Sequence, residues 1–550
     1  MKYLLIVFSI IILSYSCKDN SPPTKIYEWA AFDESKRLAA NSDHKSKRMQ
    51  FKLLQSKTLD RQAIWNNIYT QLDAFSEEDY KKFHSLIYER NILEIQTAIE
   101  EKKLNYEQLT KWYLYRILKF ETDSLLSLNA IIAINPNAVE KAKRFDKNKK
   151  SKSHPIYGMP VLLKDNIGAQ GMPTTGGALA LKDNVTKNAF IVDRIEAKGG
   201  LILGKVNLSE WAYYLCIGCP LGYSAIGGQS LNPYGSGIFE TGGSSAGSGI
   251  SMAANYATVA VGTETSGSIL SPSSQNSLVG LKTTIGLLSR SGIIPISSTL
   301  DTPGPMTRNT TDNAILLSAM AGSDVEDSAT AKAPSAVDYI EALENASLDG
   351  KRLGYFEPFL EDSIYAETRE KLKTTGATLI ALEPGELNFK HFRSFLNGDM
   401  LVDLPAYMNK YASENIPYRT VKDFVDYNLE DTILRVPYGQ ELFKGIVADT
   451  LIKAQFLKVK RDYLAEGIAF FEQPIKEHKL DAILSINNYN AGHAAMAQYP
   501  CLAVPMGYKS TGEPINLTFI ARPYEEEKLL GFATAFEKEF PIRQPPKGYE

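Results

Sequence analysis

Histidine is scarce in this chain, with six in 550 residues and none between positions 155 and 390. That leaves the centre of the sequence without the usual base of acyl-transfer enzymes and without the usual zinc ligand. Cysteine is nearly as rare, with four residues, so no disulfide framework is available to hold a small scaffold together. Cys216-Ile217-Gly218-Cys219 has a C-x-x-C spacing, yet it lacks the second pair or nearby histidines of a zinc site and the context of a redox motif. It reads as buried thiols or one local disulfide. There is no excess of charge: 60 basic against 63 acidic residues give a formal net charge of −3, which argues against a nucleic-acid or anionic-membrane surface. No apolar run reaches the roughly 20 residues that span a bilayer. Long repeats and low-complexity blocks are missing as well. What remains is a chain with 44% hydrophobic and 22% charged residues. It can bury a large core and form two or three domains, or one large α/β unit with additions.

The first residues stand apart. Lys2 supplies a positive charge, residues 4–13 are almost wholly apolar, and Ser14-Tyr15-Ser16-Cys17 precedes a polar stretch. This is the pattern of an export signal. Cys17 resembles the lipidated cysteine of bacterial lipoproteins, although an ordinary secretory signal cut nearby, or a short anchor, fits the same residues. The expected location is outside the cytoplasm, as a membrane-anchored lipoprotein facing the periplasm or cell surface.

Helical spacing of apolar residues runs through residues 60–69 and 92–118, and residues 141–152 form a basic, solvated stretch. From Pro155 short apolar runs alternate with helical pieces. Residues 202–204, 257–262, 351–356, 482–484, 501–505 and 516–520 read as strands, and residues 189–198 and 246–255 as helices; together they make an α/β pattern. Gly199-Gly200-Leu201-Ile202-Leu203-Gly204-Lys205-Val206 nearly fits a phosphate-binding loop, but Val206 stands where Ser or Thr is required.

Chemistry concentrates at three places. Val161-Leu162-Leu163-Lys164-Asp165-Asn166 ends an apolar run on a lysine. Gly242-Gly243-Ser244-Ser245-Ala246-Gly247-Ser248 and Gly262-Thr263-Glu264-Thr265-Ser266-Gly267-Ser268 are loops of hydroxyls and bare amides. Amide hydrolysis needs a nucleophile, a base and donors aimed at an oxyanion. Ser268, following a small-residue turn, is the candidate nucleophile. Lys164 is the candidate base, provided burial lowers its pKa. In an extended segment Asp165 faces away from Lys164, and Ser244 is free to relay a proton between Lys164 and Ser268.

These three stretches resemble the amidase signature family of Ser–Ser–Lys serine hydrolases. Gly158-Met159-Pro160 through Asn166 is similar to its lysine motif, residues 242–248 to its glycine-serine motif, and residues 262–269 to its nucleophile motif. Residues 204–212, 301–308, 500–507 and 525–537 add further likeness. The resemblance covers residues 92–330 and returns from about 480. It implies that Ser268 is acylated, that Ser244 follows a cis peptide bond and bridges to Lys164, and that backbone amides of Thr265, Ser266, Gly267 and Ser268 form the oxyanion hole. No metal or organic cofactor is implied. Glu264, Ser266 and Ser271 depart from common family residues, the first in the manner of the peptide-amidase branch.

The expected architecture is an α/β amidase-signature fold: a mixed, largely parallel twisted sheet covered by helices on both faces. The expected division is an export signal with a lipobox over 1–17, a helical extension over 18–90 and an amidase domain over 91–550. That domain has its core at about 155–310 and a helical insert at about 330–480. Trp211, Tyr213 and Tyr214 are expected to line the substrate pocket, with core packing as the alternative; His493 is expected to be a bystander. The substrate is a small-molecule or peptide amide, with no nucleic-acid partner and membrane contact only through the N-terminal lipid anchor. Two rivals stand beside the amidase reading. One is the glutaminase-type A subunit of an amidotransferase, disfavoured by the export signal. The other is a non-catalytic lipoprotein on the same fold, disfavoured by the intact Lys164, Ser244 and Ser268.

Overall fold

The computed structural model describes residues 29–148, 152–334, 337–449 and 453–550. The lipobox and Cys17 lie outside the described residues. Thirteen strands occur among the described residues: β1 (Ile131–Ile134), β2 (Pro160–Lys164), β3 (Leu201–Val206), β4 (Tyr223–Ser224), β5 (Gly228–Gln229), β6 (Val259–Glu264), β7 (Val279–Lys282), β8 (Thr302–Thr307), β9 (Arg352–Phe356), β10 (Thr378–Leu382), β11 (Ala482–Ile486), β12 (Cys501–Tyr508) and β13 (Pro514–Ile520). Eleven of them form one sheet in the order β1-β3-β2-β6-β8-β7-β12-β13-β11-β9-β10, and β4 and β5 form a separate hairpin.

The sheet is mixed, with parallel pairing in two blocks, β3-β2-β6 and β11-β9-β10. Between them every neighbouring pair is antiparallel, so less of the sheet is parallel than the sequence reading has it. One of these pairs is local, since β12 and β13 are joined by a short turn and parallel pairing needs a crossover of a dozen residues or more; pairs such as β6 with β8 and β7 with β12 join distant segments. Strands β2, β3 and β6 are buried at every position, which is why each carries a short apolar run, at residues 161–163, 201–203 and 259–261.

The helices begin where capping residues put them. Asn105 accepts a hydrogen bond from the Gln108 amide while the Gln108 side chain accepts one from the Asn105 amide, a reciprocal cap. That cap splits the expected 92–118 helix into Ile92–Glu100 and Tyr106–Glu121. The near phosphate-binding loop is a turn into β3, as its failed motif implies. The N-terminal extension is only partly helical, with helices at Ser35–Asn41, Arg61–Leu72 and Glu77–Ile87. An irregular strap between the first two pairs Gln55 with Gly228 of β5. Trp65 and Ile68 are fully buried and share one core with β2 and β3, so the described part of the extension is built into the body. A second apolar cluster, centred on Phe395, Phe424 and Phe443, belongs to the helices between residues 392 and 448 and covers the loop that follows β3. Among the described residues, no helix is long and apolar enough to cross a membrane.

Candidate active site

The parallel block β3-β2-β6 sets the site. In such sheets chemistry gathers where the strands' carboxyl ends open. Lys164 is the last residue of β2 and Glu264 the last of β6. The loop Asn207-Leu208-Ser209 leaves β3 at the same edge and holds the second serine loop, with the Ser209 amide donating to the Ser244 carbonyl at 3.0 Å.

Lys164 has no exposed surface. Its Nζ lies 2.8 Å from Ser244 Oγ, 2.8 Å from Thr263 Oγ1 and 3.0 Å from the Thr263 carbonyl. Burial lowers its pKa to about 7, against a partial upward pull from the charges of Asp301 and Glu264. A neutral amine there donates its two protons to Thr263 and leaves its lone pair for the Ser244 hydroxyl. Asp165 takes no part. It faces the other way, as an extended strand dictates, and pairs with the equally buried Lys205 at 2.9 Å.

The peptide bond between Gly243 and Ser244 is cis. Gly242 sits at φ +65°, and a Cβ there would lie 2.6 Å from the Pro272 backbone, so the two serine loops approach as only glycine permits. The Ser245 amide donates to the Ser268 carbonyl at 3.2 Å, and the Gly243 amide donates to Ser271 Oγ at 3.4 Å. Ser268 is 8% exposed, and among the described residues its hydroxyl has no hydrogen-bond partner. The structure thus joins Lys164 to Ser244 directly and sets Ser268 against the Ser244-Ser245 loop.

Glu264 shapes the nucleophile turn. One carboxylate oxygen accepts from the Gly267 amide at 2.7 Å; the other accepts from the amides of Ile269 and Leu270 at 2.7 and 3.0 Å. This corrects one member of the expected oxyanion hole: the Gly267 amide is committed to Glu264. The amides of Thr265, Ser266 and Ser268 have no acceptor among the described residues and remain available. Gly267 itself sits at φ +92°, and a Cβ there would lie 3.1 Å from the Asn488 side chain. Gly267→Ala is therefore expected to displace the turn and lower kcat about 100-fold while the fold survives; steady-state rates and a melting curve on the same preparation check this.

A cavity of about 250 Å³ adjoins the turn. Its lining includes Asn166, Thr263, Thr265, Ile294, Asp301 and Tyr407. The aromatic loop does not line it as expected. Trp211 is 2% exposed and packs 4.9 Å from Phe424 and 5.1 Å from Phe443, centre to centre. Tyr213 donates to the Cys219 carbonyl at 2.8 Å, and Tyr214 to Asn397 Oδ1 at 2.8 Å. Left-handed backbone at Trp211, Ala212 and Tyr213 turns these rings into the protein, and Ala212 alone of the loop reaches the cavity. Cys216 and Cys219 form a disulfide in the same loop. His493 packs between the rings of Phe389 and Phe470, and burial lowers its pKa. Sequence reasoning missed Asn166, whose Nδ2 donates to Thr263 Oγ1 at 3.0 Å, together with Thr263 and Asp301. All three lie inside the family-like stretches, but nothing in their spacing announces a contact with the lysine or the turn.

Comparison with known proteins identifies the family. The family model described as Amidase matches residues 109–435. An Arabidopsis thaliana protein described as a probable amidase is 36% identical over 484 residues, covering 84% of this chain and 92% of the relative. The crystal structure of an amidase family protein from Bacillus anthracis superposes with a TM-score of 0.85 at 35% identity, covering 90% of this chain and all of the other. The peptide amidase of Stenotrophomonas maltophilia superposes with a TM-score of 0.77 at 34% identity, covering 84% and 98%. The chain belongs to the amidase family and is an amide-hydrolysing enzyme.

Proposed function

We propose that this amidase works through a Ser268 acyl-enzyme, with Ser244 and Lys164 as its proton wire and C-terminal peptide amides as its substrate class. The observation that carries the mechanism is the fully buried Lys164 amine, 2.8 Å from Ser244 Oγ, with no carboxylate bonded to it. Ser268 Oγ attacks the amide carbon and passes its proton to Ser244, which passes its own to Lys164. The oxyanion meets the amides of Thr265, Ser266 and Ser268. Collapse breaks the carbon–nitrogen bond as the amine takes the proton back along the wire. Water then cleaves the acyl ester by the same route in reverse.

The substrate class rests on the likeness to the peptide amidase and on Glu264 at the turn. The test is a panel of peptide amides, amino-acid amides, glutamine, fatty amides and aryl amides, read as ammonia or amine release. Peptide amides are expected to give the highest kcat/KM. Turnover confined to glutamine would instead favour the amidotransferase subunit, and turnover confined to fatty or aryl amides would refute the class but not the mechanism.

Export and lipid anchoring at Cys17 complete the proposal. The Cys216–Cys219 disulfide supports an oxidising compartment. Mass spectrometry of the native N-terminus tests the anchor: a diacylglyceryl-modified Cys17 is expected, and a retained Met1 refutes it.

A further inference from the structure

The nucleophile turn is held from two sides. Glu264 grips it from within through three amides. The outer grip comes from Asp301, which immediately precedes β8. Thr265 Oγ1 donates to Asp301 Oδ1 at 2.6 Å. The other carboxylate oxygen accepts from the amides of Ile296 and Ser297 at 2.7 and 2.9 Å. Next to Asp301, Thr302 pairs with Glu264 across the sheet. One carboxylate thus ties the first residue of the turn to the loop that forms a wall of the adjoining cavity. Both of its oxygens accept from protein donors.

We propose that Asp301 is a positioning residue: through the Thr265 hydroxyl it sets where the oxyanion-binding amides stand relative to the cavity wall. This rests on the amidase reading of the same site. The argument is geometric. The Thr265 amide is the first of three free donors, its side chain has no other hydrogen-bond partner among the described residues, and an oxyanion donor displaced by about 1 Å costs about 100-fold in rate. The link is expected to act on kcat and spare KM, because it locates transition-state donors.

The test uses the full-length enzyme and two readouts: turnover of a peptide amide, and the rate at which a fluorophosphonate labels Ser268. Thr265→Val removes the hydroxyl at constant shape. It is expected to lower kcat and the labelling rate about 10- to 100-fold, with KM within about threefold. Thr265→Ser is expected to recover most of that loss. Asp301→Asn combined with Thr265→Val is expected to lose no more than the worse single variant, as for two halves of one interaction. Asp301→Asn is also expected to move the acid limb of the rate profile to lower pH, which Thr265→Val does not do. The charge of Asp301 helps hold the Lys164 ammonium, while Glu264 stays in place and Arg290 and Asp403 are the other charged groups facing Asp301. Wild-type kcat and labelling in Thr265→Val, or a serine variant no better than the valine one, overturn the proposal even if Asp301→Asn does not fold. Failure of the amidase reading is distinct: the wild type itself then hydrolyses no amide.

Discussion

Replacing Lys164 with alanine is expected to lower kcat on amides by about 10³- to 10⁵-fold, with the protein still folded. Among the described residues, no other basic group bonds to the Ser244 hydroxyl. Asp165, next in sequence, is paired with Lys205 on the opposite face of the strand, and His493 is packed among aromatic rings. The pH dependence follows from the same burial. The active base is the neutral amine, so the acylation rate rises with pH through about 7 and levels off above it. The fold bears a cost with a definite sign. The unfolded lysine keeps its proton up to its ordinary value of 10.5, and burial lowers the folded value to about 7. Native stability is therefore reduced by about 5 kcal/mol below pH 7, and the loss fades between pH 7 and 10.5. Lys164→Met fills the site without a charge. It is expected to abolish turnover without lowering the melting temperature, which separates a chemical role from a structural one.

Ser268→Ala is expected to abolish both turnover and fluorophosphonate labelling. Ser244→Ala is expected to slow both by about 10²- to 10⁴-fold while leaving the adduct on Ser268. The asymmetry comes from the proposed roles, in which one serine forms the covalent bond and the other only carries a proton. Residual turnover is expected in Ser244→Ala, because a water in the vacated space can stand in for the hydroxyl. Undiminished labelling of Ser268→Ala would move the nucleophile elsewhere. Equal and total loss in both variants would remove the distinction between the two serines.

The pieces of the candidate site were legible in the sequence because each is local. A lysine ending an apolar run, and two glycine-serine loops with their own backbone demands, declare themselves over about seven residues apiece. The buried strands were legible for the same reason, since a strand covered on both faces shows as a short apolar run. The failures share a cause too. Trp211, Tyr213 and Tyr214 follow a family-like segment, but their direction depends on three left-handed residues and on Phe424 and Phe443, more than 200 positions away. Gly267 was misassigned because its amide is captured by Glu264, an i to i+3 contact that a residue-type pattern does not encode. Asp301 and Thr265 meet across 36 positions, and the antiparallel centre of the sheet is settled by long-range pairing. Local demands are written in local sequence; long-range packing is not.

The most direct measurement is the rate of phosphonylation of Ser268 as a function of pH, followed by intact mass with the modified peptide identified. The expected result is a single adduct on Ser268 whose rate rises through a midpoint near pH 7, the value burial imposes on Lys164, and this rise disappears in Lys164→Met. A rate that is flat from about pH 5 to pH 9, or unchanged by Lys164→Met, would contradict the account.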